Sequence, residues 1–511
     1  MSTANITVNP AFSVGPVHRR TFGSFVEHLG RCVYTGIYEP AHPTADSDGF
    51  RGDVIELTKE LGVSTVRYPG GNFVSAYRWQ DGIGPVADRP RRLDLAWHSI
   101  EPNWVGLDEF MRWAEKTGVE PMMAVNLGTA GVQEAIDILE YCNVPGGTAL
   151  SDLRRTNGRE EPYRIKLWCL GNEMDGPWQT GHKTAAEYGR IAAEAARAMR
   201  QIDPTIELVA CGSSHRGMPT FGDWERTVLT EAYDQIDYIS AHAYYWPDDG
   251  DLPSFLASAV NMDRFIDDII ATADAVRAAG NHQKYINVSF DEWNVWYLGL
   301  DQSEVPKGDD WPIAPRLLED KYNVADAVVV GGLLISLLRH SDRVHAASQA
   351  QLVNVIAPIF TEPAAEGGRI WKQTIFHPFA LTAKYATGEV LRTAIDSPVM
   401  PTSKYGEVPV LDAVVTYDKD AGDLVIFAVN RSVAEALPLQ VNLAGFGNLQ
   451  VVEALTLAAD DYRWKATADD DNSVLPQSNE SAIITTTGSL TVDLPAISWS
   501  MIRLADAAPG N

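Results

Sequence analysis

The sequence predicts an α/β fold, a (β/α)8 TIM barrel with a C-terminal all-β sandwich domain. Between about residues 20 and 385, eight short apolar, β-branched runs alternate with longer stretches of helical periodicity. This alternation predicts a parallel sheet, and eight repeats predict a closed barrel. After about residue 385 helical periodicity disappears, and short strand-like runs separated by turns predict antiparallel strands. We expect the barrel over residues 18–384 and the sandwich over 385–511, with the N-terminal strand of residues 1–17 joining the sandwich.

Each of the eight predicted barrel strands ends in a polar residue. In chain order, the runs are TFGSFVEHLG, VSTVRYPGG, PMMAVNLG, RIKLWCLGNE, IELVACGSS, DYISAHAYY, KYINVSFDEWN and RVHAASQAQLVN. Their polar ends are Glu27, Arg67, Asn126, Asn172 with Glu173, Ser213, His242 with Tyr244, Glu292, and Gln351. The carboxyl ends of parallel barrel strands open on one face, where the active sites of this fold lie. The pattern therefore predicts a polar site at that face.

Amphipathic segments connect the predicted strands, and the clearest of them cover residues 53–62, 107–118 and 185–203. The longest apolar stretch covers residues 325–338. It is shorter than the ~20 residues needed to span a bilayer, so we interpret it as a buried helix. In the C-terminal region, six runs from residue 408 onward predict strands, and the polar segment 458–480 predicts a long loop.

Charge, N-terminal sequence and cysteine spacing exclude several classes of protein. The net charge of −27 argues against binding to nucleic acid or to an anionic membrane. The N-terminus lacks a basic region followed by an apolar segment, so we expect no secretory signal. The four cysteines are scattered without metal-ligand spacing. We therefore expect a cytoplasmic protein with reduced thiols, no metal site and no cofactor.

Two glutamates are the leading candidates for catalysis. Glu173 ends the fourth predicted strand and Glu292 ends the seventh, so both should lie at the mouth of one barrel. Paired carboxyl groups about 5–5.5 Å apart are typical of retaining glycosidases, in which one is a nucleophile and the other a proton donor. The alternative is that each glutamate is a salt-bridged residue of the barrel rim.

Six motifs on different strands make the hypothesis more specific. They are FVEHLGRCVYTGIYEP, RYPGGNFVSAYRW, LWCLGNEMDGPWQTGH, SAHAYY, SFDEWNVWY and AQLVNVIAPI. Together they resemble glycoside hydrolase family 51, and in particular its intracellular α-L-arabinofuranosidases, over essentially the whole chain. The resemblance implies an exo-acting, retaining hydrolase that releases terminal α-L-arabinofuranosyl residues from arabinose-containing oligosaccharides through a covalent glycosyl-enzyme. It also implies a homo-oligomer, a hexamer as is common in the family.

The resemblance also assigns roles to residues. It implies that Glu173 is the general acid/base and Glu292 the nucleophile. It implies that Arg67 and Tyr244 hold the nucleophile, and that Asn172 binds the hydroxyl next to the anomeric carbon. The other residues implied in substrate binding are Glu27, Asn72 and Gln351 on the furanose hydroxyls, Trp97, Trp178 and Trp296 around the pocket and leaving group, and His242 as a hydrogen-bonding group.

Several of these assignments have alternatives at the level of sequence. Arg67 could pair with an acid on the rim, and Tyr244 could be a core tyrosine. Asn72 could serve only the turn after Gly70-Gly71. His242 could be a metal ligand, although no second His or Cys lies at ligand spacing. The further alternatives are core positions for Trp178 and Trp296, and Gln349 in place of Gln351.

Two other functions also remain open. The paired glutamates are compatible with another retaining barrel glycosidase, such as an endo-glucanase or a β-xylosidase. A non-catalytic carbohydrate-binding protein on the same scaffold would be expected to have lost at least one of the two acids, and both are present.

Overall fold

Eight parallel strands close into a barrel in chain order, which confirms the predicted fold class. The computed structural model describes residues 3–248, 250–298, 305–485 and 488–506. Barrel strands 1 to 8 are Gly23–Phe25, Thr65–Tyr68, Glu120–Ala124, Leu167–Leu170, Glu207–Ala210, Tyr238–Tyr245, Asn287–Val295 and Val344–Gln349. All eight coincide with the predicted runs. Glu173 therefore follows barrel strand 4, and Glu292 lies near the carboxyl end of barrel strand 7.

Helices surround the barrel. The helices α1 to α10 are Gly52–Leu61, Leu107–Thr117, Val132–Asn143, Ala149–Thr156, Ala185–Ile202, Asp223–Ala232, Leu252–Leu256, Ala259–Gly280, Val324–Arg339 and Phe376–Tyr385. The predicted amphipathic segments form α1, α2 and α5. Helix α5 begins where the Thr184 hydroxyl accepts a hydrogen bond from the Glu187 amide, and it ends before Pro204.

Helix α9 is the predicted buried helix, and it packs between the barrel and the sandwich. Every residue from Val324 to Leu338 is buried, because the helix is apolar on all sides. Gly331 lies against the Trp499 ring of the sandwich. No helix in the described part of the chain is both long enough and apolar enough to cross a membrane.

The C-terminal strands form the predicted sandwich. Its ten strands, in spatial order, are Gln477–Ser478, Leu449–Leu457, Ser498–Asp506, Asp423–Asn430, Leu411–Asp418, Glu389–Asp396, Ala4–Pro16, Leu437–Asn442, Ser489–Leu494 and Ile483–Ile484. A second apolar core lies among these strands and includes Ile6, Leu391, Ile426 and Ile502. The strands after residue 385 pair antiparallel with one another.

The first strand of the chain belongs to this sheet. Ala4–Pro16 pairs antiparallel with Glu389–Asp396 and parallel with Leu437–Asn442. The parallel pairing was not expected from the sequence. It is possible because this strand precedes the whole barrel, so no short hairpin fixes its direction.

Within the described ranges, three further strand pairs lie outside the barrel and the large sheet. They are Arg92–Asp94 with Ser99–Glu101, Ile359–Thr361 with Ile370–Lys372, and Val399–Thr402 with Gly406–Pro409. The last pair, which we call the 399–409 hairpin, begins before the first predicted C-terminal run and shares only Val408 and Pro409 with it. Segment 458–480 contains one short strand, Gln477–Ser478, and otherwise runs as irregular chain with isolated bridges.

Candidate active site

The two predicted catalytic glutamates face each other at the carboxyl end of the barrel. One carboxylate oxygen of Glu173, one of Glu292 and a ring nitrogen of His242 all lie within 4.8 Å of one another. Inverting glycosidases separate their carboxyl groups by about 6.5–9.5 Å, whereas retaining enzymes hold them about 5–5.5 Å apart. The separation in this protein fits the retaining arrangement.

Glu173 projects from the loop that follows barrel strand 4. Its backbone φ is +43°, a left-handed conformation that is uncommon for a residue with a side chain. The Trp178 indole donates a hydrogen bond of 2.7 Å to one carboxylate oxygen, and His242 Nδ1 lies 2.9 Å from the other. These contacts fix the direction in which the Glu173 carboxyl group points.

Glu292 has a partner at each oxygen. The Arg67 guanidinium donates to Oε1 at 2.8 Å, and the Tyr244 hydroxyl donates to Oε2 at 2.8 Å. Burial, followed by the negative charge of Glu292, raises the pKa of Tyr244 well above its ordinary value. The phenol therefore stays protonated as a donor, and the Glu292 carboxylate is held in one orientation.

Arg67 connects several groups beneath the site. It is almost fully buried, and it donates to the Asn172 side-chain oxygen at 2.7 Å as well as to Glu292. Its Nε lies 3.7 Å from Asp291, and its guanidinium lies over the Phe25 ring. The acid that Arg67 pairs with is therefore the candidate nucleophile itself, rather than an unrelated acid on the barrel rim.

His242 contacts both glutamates from barrel strand 6. Its Nδ1 lies 2.9 Å from Glu173 and 3.6 Å from Glu292. Burial lowers the pKa of His242, but the charge of Glu292 and the hydrogen bond to Glu173 outweigh it, so the net pKa is raised. A protonated imidazole at this position partly neutralises two carboxylates that lie close together.

Among the described residues, Glu173, His242 and Glu292 form the one cluster of His, Cys, Asp or Glu side chains with ligand atoms close enough to hold a metal ion. The surroundings do not fit a metal. The guanidinium of Arg67 donates to Glu292 and would repel a cation, while His242 Nδ1 is already paired with Glu173. The geometry thus favours a hydrogen-bonding role for His242 over a ligand role.

Glu27 forms a second buried acidic position. One carboxylate oxygen accepts from the Phe73 amide at 2.9 Å and the Trp97 indole at 3.0 Å, and the other accepts from Gln351 at 3.1 Å. Burial raises the pKa of Glu27 to about 8. Burial thus favours the protonated form of Glu27, while the hydrogen bonds from Phe73 and Trp97 act in the opposite direction without outweighing it.

A cavity of about 770 Å³ opens above these groups. The predicted residues that line it are Glu27, Asn72, Trp97, Glu173, Trp178, Tyr244, Glu292, Trp296 and Gln351. The other three predicted site residues, Arg67, Asn172 and His242, do not line the cavity and lie beneath its walls. Gln349 points elsewhere and donates to Asn294 at 3.3 Å, so Gln351 is the glutamine at the cavity.

The two tryptophans that could have been core residues are on the cavity wall. Trp178 is 48% exposed and stacks beside His215. Trp296 is partly buried and meets the Tyr244 ring edge-on, with 5.2 Å between ring centroids. Both rings thus present a surface to the cavity.

Sequence reasoning missed two supporting residues. Gln179 accepts from Asn172 at 3.4 Å and donates to the Asn72 carbonyl at 3.3 Å. Asp291 lies beside Arg67 and accepts from the Ser289 hydroxyl. Both stand inside motifs that were recognised, directly after Trp178 and directly before Glu292. Their position next to Trp178 and Glu292 was visible in the sequence. It did not show that their side chains, rather than those of other neighbours, would contact the site.

Comparison with known proteins places the chain in a family. Residues 57–269 match the family model of the α-L-arabinofuranosidase 1 domain, and residues 291–498 match that of the α-L-arabinofuranosidase C-terminal domain. The solved structure of a family 51 α-L-arabinofuranosidase from Bifidobacterium longum superimposes with a TM-score of 0.94 at 50% identity, covering 98% of this chain and 100% of that one. The chain belongs to glycoside hydrolase family 51.

Relatives with curated names agree with this family membership. An intracellular exo-α-(1→5)-L-arabinofuranosidase from Streptomyces lividans is 59% identical over 100% of this chain and 77% of that protein. An exo-α-(1→6)-L-arabinofuranosidase from Bifidobacterium longum is 55% identical over 99% of this chain and 98% of that protein. The family predicted from the six motifs is therefore confirmed.

Proposed function

We propose that this protein is an exo-acting, retaining α-L-arabinofuranosidase that releases terminal non-reducing α-L-arabinofuranosyl residues from arabinose-containing oligosaccharides. The observation that carries the proposal is the pair Glu173 and Glu292, with oxygens no more than 4.8 Å apart on the wall of one cavity. Family membership supports the furanose specificity, because the paired carboxylates alone indicate only a retaining glycosidase.

In the first step, Glu292 attacks the anomeric carbon while Glu173 donates a proton to the glycosidic oxygen. The bond to the leaving group breaks, and a covalent glycosyl-enzyme forms on Glu292. Arg67 and Tyr244 each donate to one oxygen of Glu292 and so direct the carboxylate at the sugar. Trp178 and His242 orient Glu173 in the same way.

In the second step, Glu173 takes a proton from water, and the water attacks the anomeric carbon. Arabinose is released with the anomeric configuration of the substrate, and Glu292 returns to its carboxylate form. The same side chain serves as acid and then as base because proton donation leaves it deprotonated beside the bond that must be hydrolysed.

The remaining cavity residues would bind the sugar. Glu27, Asn72 and Gln351 present a carboxyl group and two amides on one side of the cavity, where furanose hydroxyls can bind. Asn172 lies next to Glu173 and is held by Arg67, which suits contact with the hydroxyl beside the anomeric carbon. Trp97 and Trp296 provide apolar walls that limit the size of the pocket.

Hydrolysis of 4-nitrophenyl glycosides tests the proposal. The α-L-arabinofuranoside should be cleaved, with NMR showing that the first arabinose released has the substrate's configuration. The Glu292→Ala variant should lose several orders of magnitude in turnover while sugar still binds. An inert arabinofuranoside together with a cleaved β-D-glucoside or β-D-xyloside would overturn the substrate assignment. Unchanged turnover in Glu292→Ala would overturn the role of Glu292.

The protein's setting forms a second part of the proposal. We infer a cytoplasmic protein that acts on short imported oligosaccharides, since relatives 50–59% identical to this chain are named intracellular. We also infer a homohexamer, which rests on the resemblance to the family alone. A monomer in light scattering would contradict the hexamer. Activity should survive treatment with EDTA, because the donors around Glu173, His242 and Glu292 do not suit a metal ion.

A further inference from the structure

One wall of the cavity comes from the C-terminal domain. The 399–409 hairpin extends from the sandwich to the open face of the barrel, and Lys404 and Tyr405 in its turn line the same cavity as Glu173 and Glu292. Neither residue belongs to a predicted site motif. The barrel therefore does not enclose the cavity alone.

The hairpin turn is fixed to the barrel by several hydrogen bonds. The backbone amides of Ser403 and Lys404 both donate to the Ser254 hydroxyl, at 3.1 and 3.2 Å. Ser254 is only 1% exposed, and its own amide donates to Asp251 at the start of helix α7. The Ser403 hydroxyl also donates to Asp251. These contacts hold the turn in a defined position.

The hairpin turn contacts the segment that follows barrel strand 6, the strand that carries His242 and Tyr244. Lys404 Nζ lies 2.7 Å from Asp248 and 5.7 Å from the centre of the Trp246 ring. Trp246 also lines the cavity and is 36% exposed. The hairpin and barrel thus build one continuous surface beyond the paired glutamates.

This surface has the chemistry of a saccharide site. Trp246 and Tyr405 offer ring faces against which the C–H faces of a sugar can pack, and Lys404 offers a cationic donor. Within the described residues, the Tyr405 hydroxyl has no hydrogen-bond partner, so it is available to a ligand. The cavity volume of about 770 Å³ also leaves room for more than the one pentose that the proposed function places between the glutamates.

We propose that Trp246, Lys404 and Tyr405 bind the sugar residues on the leaving side of the cleaved bond, so that the C-terminal domain takes part in substrate selection. The inference rests on the proposed function. An exo-acting arabinofuranosidase binds the same terminal sugar whatever its linkage, so discrimination between oligosaccharides depends on contacts with the leaving side. These three residues add specificity on that side to whatever Trp178 and Trp296 contribute from the barrel.

The test compares a substrate with a small leaving group and one with a saccharide leaving group. Tyr405→Ala and Lys404→Ala are assayed on 4-nitrophenyl α-L-arabinofuranoside and on α-(1→5)-linked arabinotriose. For Tyr405→Ala, kcat/KM on the triose should fall about tenfold, mainly through KM, because one aromatic contact with sugar is lost. On the aryl glycoside it should stay within about twofold of wild type. For Lys404→Ala, kcat/KM on the triose should fall by a smaller factor, and kcat/KM on the aryl glycoside should again stay near the wild-type value.

Two control variants and one conservative variant complete the experiment. Tyr285→Ala removes an exposed tyrosine at the opposite end of the barrel, and Lys419→Ala removes an exposed lysine from another turn of the sandwich. Both should behave as wild type on the two substrates. Tyr405→Phe keeps the ring and should recover most of the activity on the triose. The thermal midpoint of each variant shows whether it is folded.

The outcomes separate this inference from the function on which it rests. A wild-type protein that does not cleave the aryl arabinofuranoside would refute the proposed function. If the wild-type protein is active but Tyr405→Ala and Lys404→Ala leave the triose unaffected, the inference is wrong. It is equally wrong if folded variants lose the same factor on both substrates, because the hairpin would then act only as a support.

Discussion

The two glutamates proposed as catalytic differ in the partners of their carboxylates. Glu292 accepts from the buried Arg67 and from the partly buried Tyr244, and both of these donors stay protonated. Glu173 is bound by the exposed Trp178 and by His242, a group that can itself gain or lose a proton. A fixed carboxylate suits nucleophilic attack, whereas a carboxyl group beside a titrating imidazole suits proton transfer.

Replacement of Glu173 by alanine should affect substrates according to their leaving groups. With a poor leaving group, loss of proton donation should lower kcat/KM by about 10²–10⁴-fold. With an activated aryl leaving group the loss in kcat/KM should be much smaller, because the departing oxygen needs little protonation. Steady-state kinetics on a series of aryl α-L-arabinofuranosides measures the difference. An equal loss across the series would contradict the acid assignment.

Glu27 should make stability depend on pH in a defined direction. Burial raises its pKa from 4.5 to about 8. Between these values the folded protein binds more protons than the unfolded chain. Protonated Glu27 therefore stabilises the folded protein fully below about pH 4.5, and this stabilisation is lost as the pH rises through about 8.

The variant Glu27→Gln removes this titration and keeps an oxygen that can accept from Phe73 and Trp97. Its thermal midpoint relative to wild type should increase between about pH 5.5 and about pH 8.5. Calorimetry at both pH values in matched buffers measures this difference, and other titrating groups cancel because both proteins contain them. A difference that stays constant or decreases would refute a raised pKa for Glu27.

At this scale the sequence predicted which residues meet but not how they bond. Strand ends placed Glu27, Arg67, Glu173, Tyr244 and Glu292 at one face, since the carboxyl ends of barrel strands must converge. The choice of Gln351 over Gln349 depended on the path of the chain just after barrel strand 8, which periodicity does not specify. The contact of His242 with both glutamates likewise depends on its ring orientation.

Helix α9 connects the two domains, and its packing depends on a glycine. A Cβ atom added to Gly331 would lie 2.1 Å from the Trp499 ring, far inside van der Waals contact. The next residue, Gly332, differs, because its added Cβ would lie 3.7 Å from Ala259 in ordinary contact. The two adjacent glycines therefore form a matched pair in the same helix.

Alanine at these two positions should have opposite effects on stability. Gly331→Ala should reduce the free energy of unfolding by about 1–3 kcal/mol, because the added methyl group would overpack the core around Trp499. Gly332→Ala should be neutral or should raise it by about 0.5–1 kcal/mol, since alanine favours a helix more than glycine does. Urea or thermal unfolding of both variants checks the pair. Equal destabilisation would mean that Trp499 does not constrain Gly331.

Elements with a strong pattern were predicted well. The eight barrel strands and helix α9 follow from apolar runs of the right length, because burial on both faces requires such runs. The strand Glu389–Asp396 and all but the last two residues of the 399–409 hairpin were missed. Of the residues in these strands, only Val390, Leu391 and Val408 are buried, so no continuous apolar run marks the strands.

On the scale of the molecule, the barrel and sandwich form a connected structure. Arg339 at the end of α9 and Arg431 of the sandwich both donate to the buried carboxylate of Asp412. Burial acts to raise the pKa of Asp412, but the two guanidinium groups outweigh it, and the net pKa is lowered. The strand Ala4–Pro16 also lies in the sandwich, so this sheet contains residues from both before and after the barrel.

The central claim is that Glu292 forms the covalent glycosyl-enzyme and that Glu173 is needed for water to hydrolyse it. Trapping the adduct tests both parts most directly. The Glu173→Ala variant is mixed with an activated aryl α-L-arabinofuranoside, and the protein is then digested and analysed by mass spectrometry. We predict an arabinosyl adduct on the peptide that contains Glu292, and none when Glu292→Ala is added to the variant. The account would be contradicted by an adduct on another residue. It would also be contradicted if arabinose were released with inverted anomeric configuration and no adduct formed.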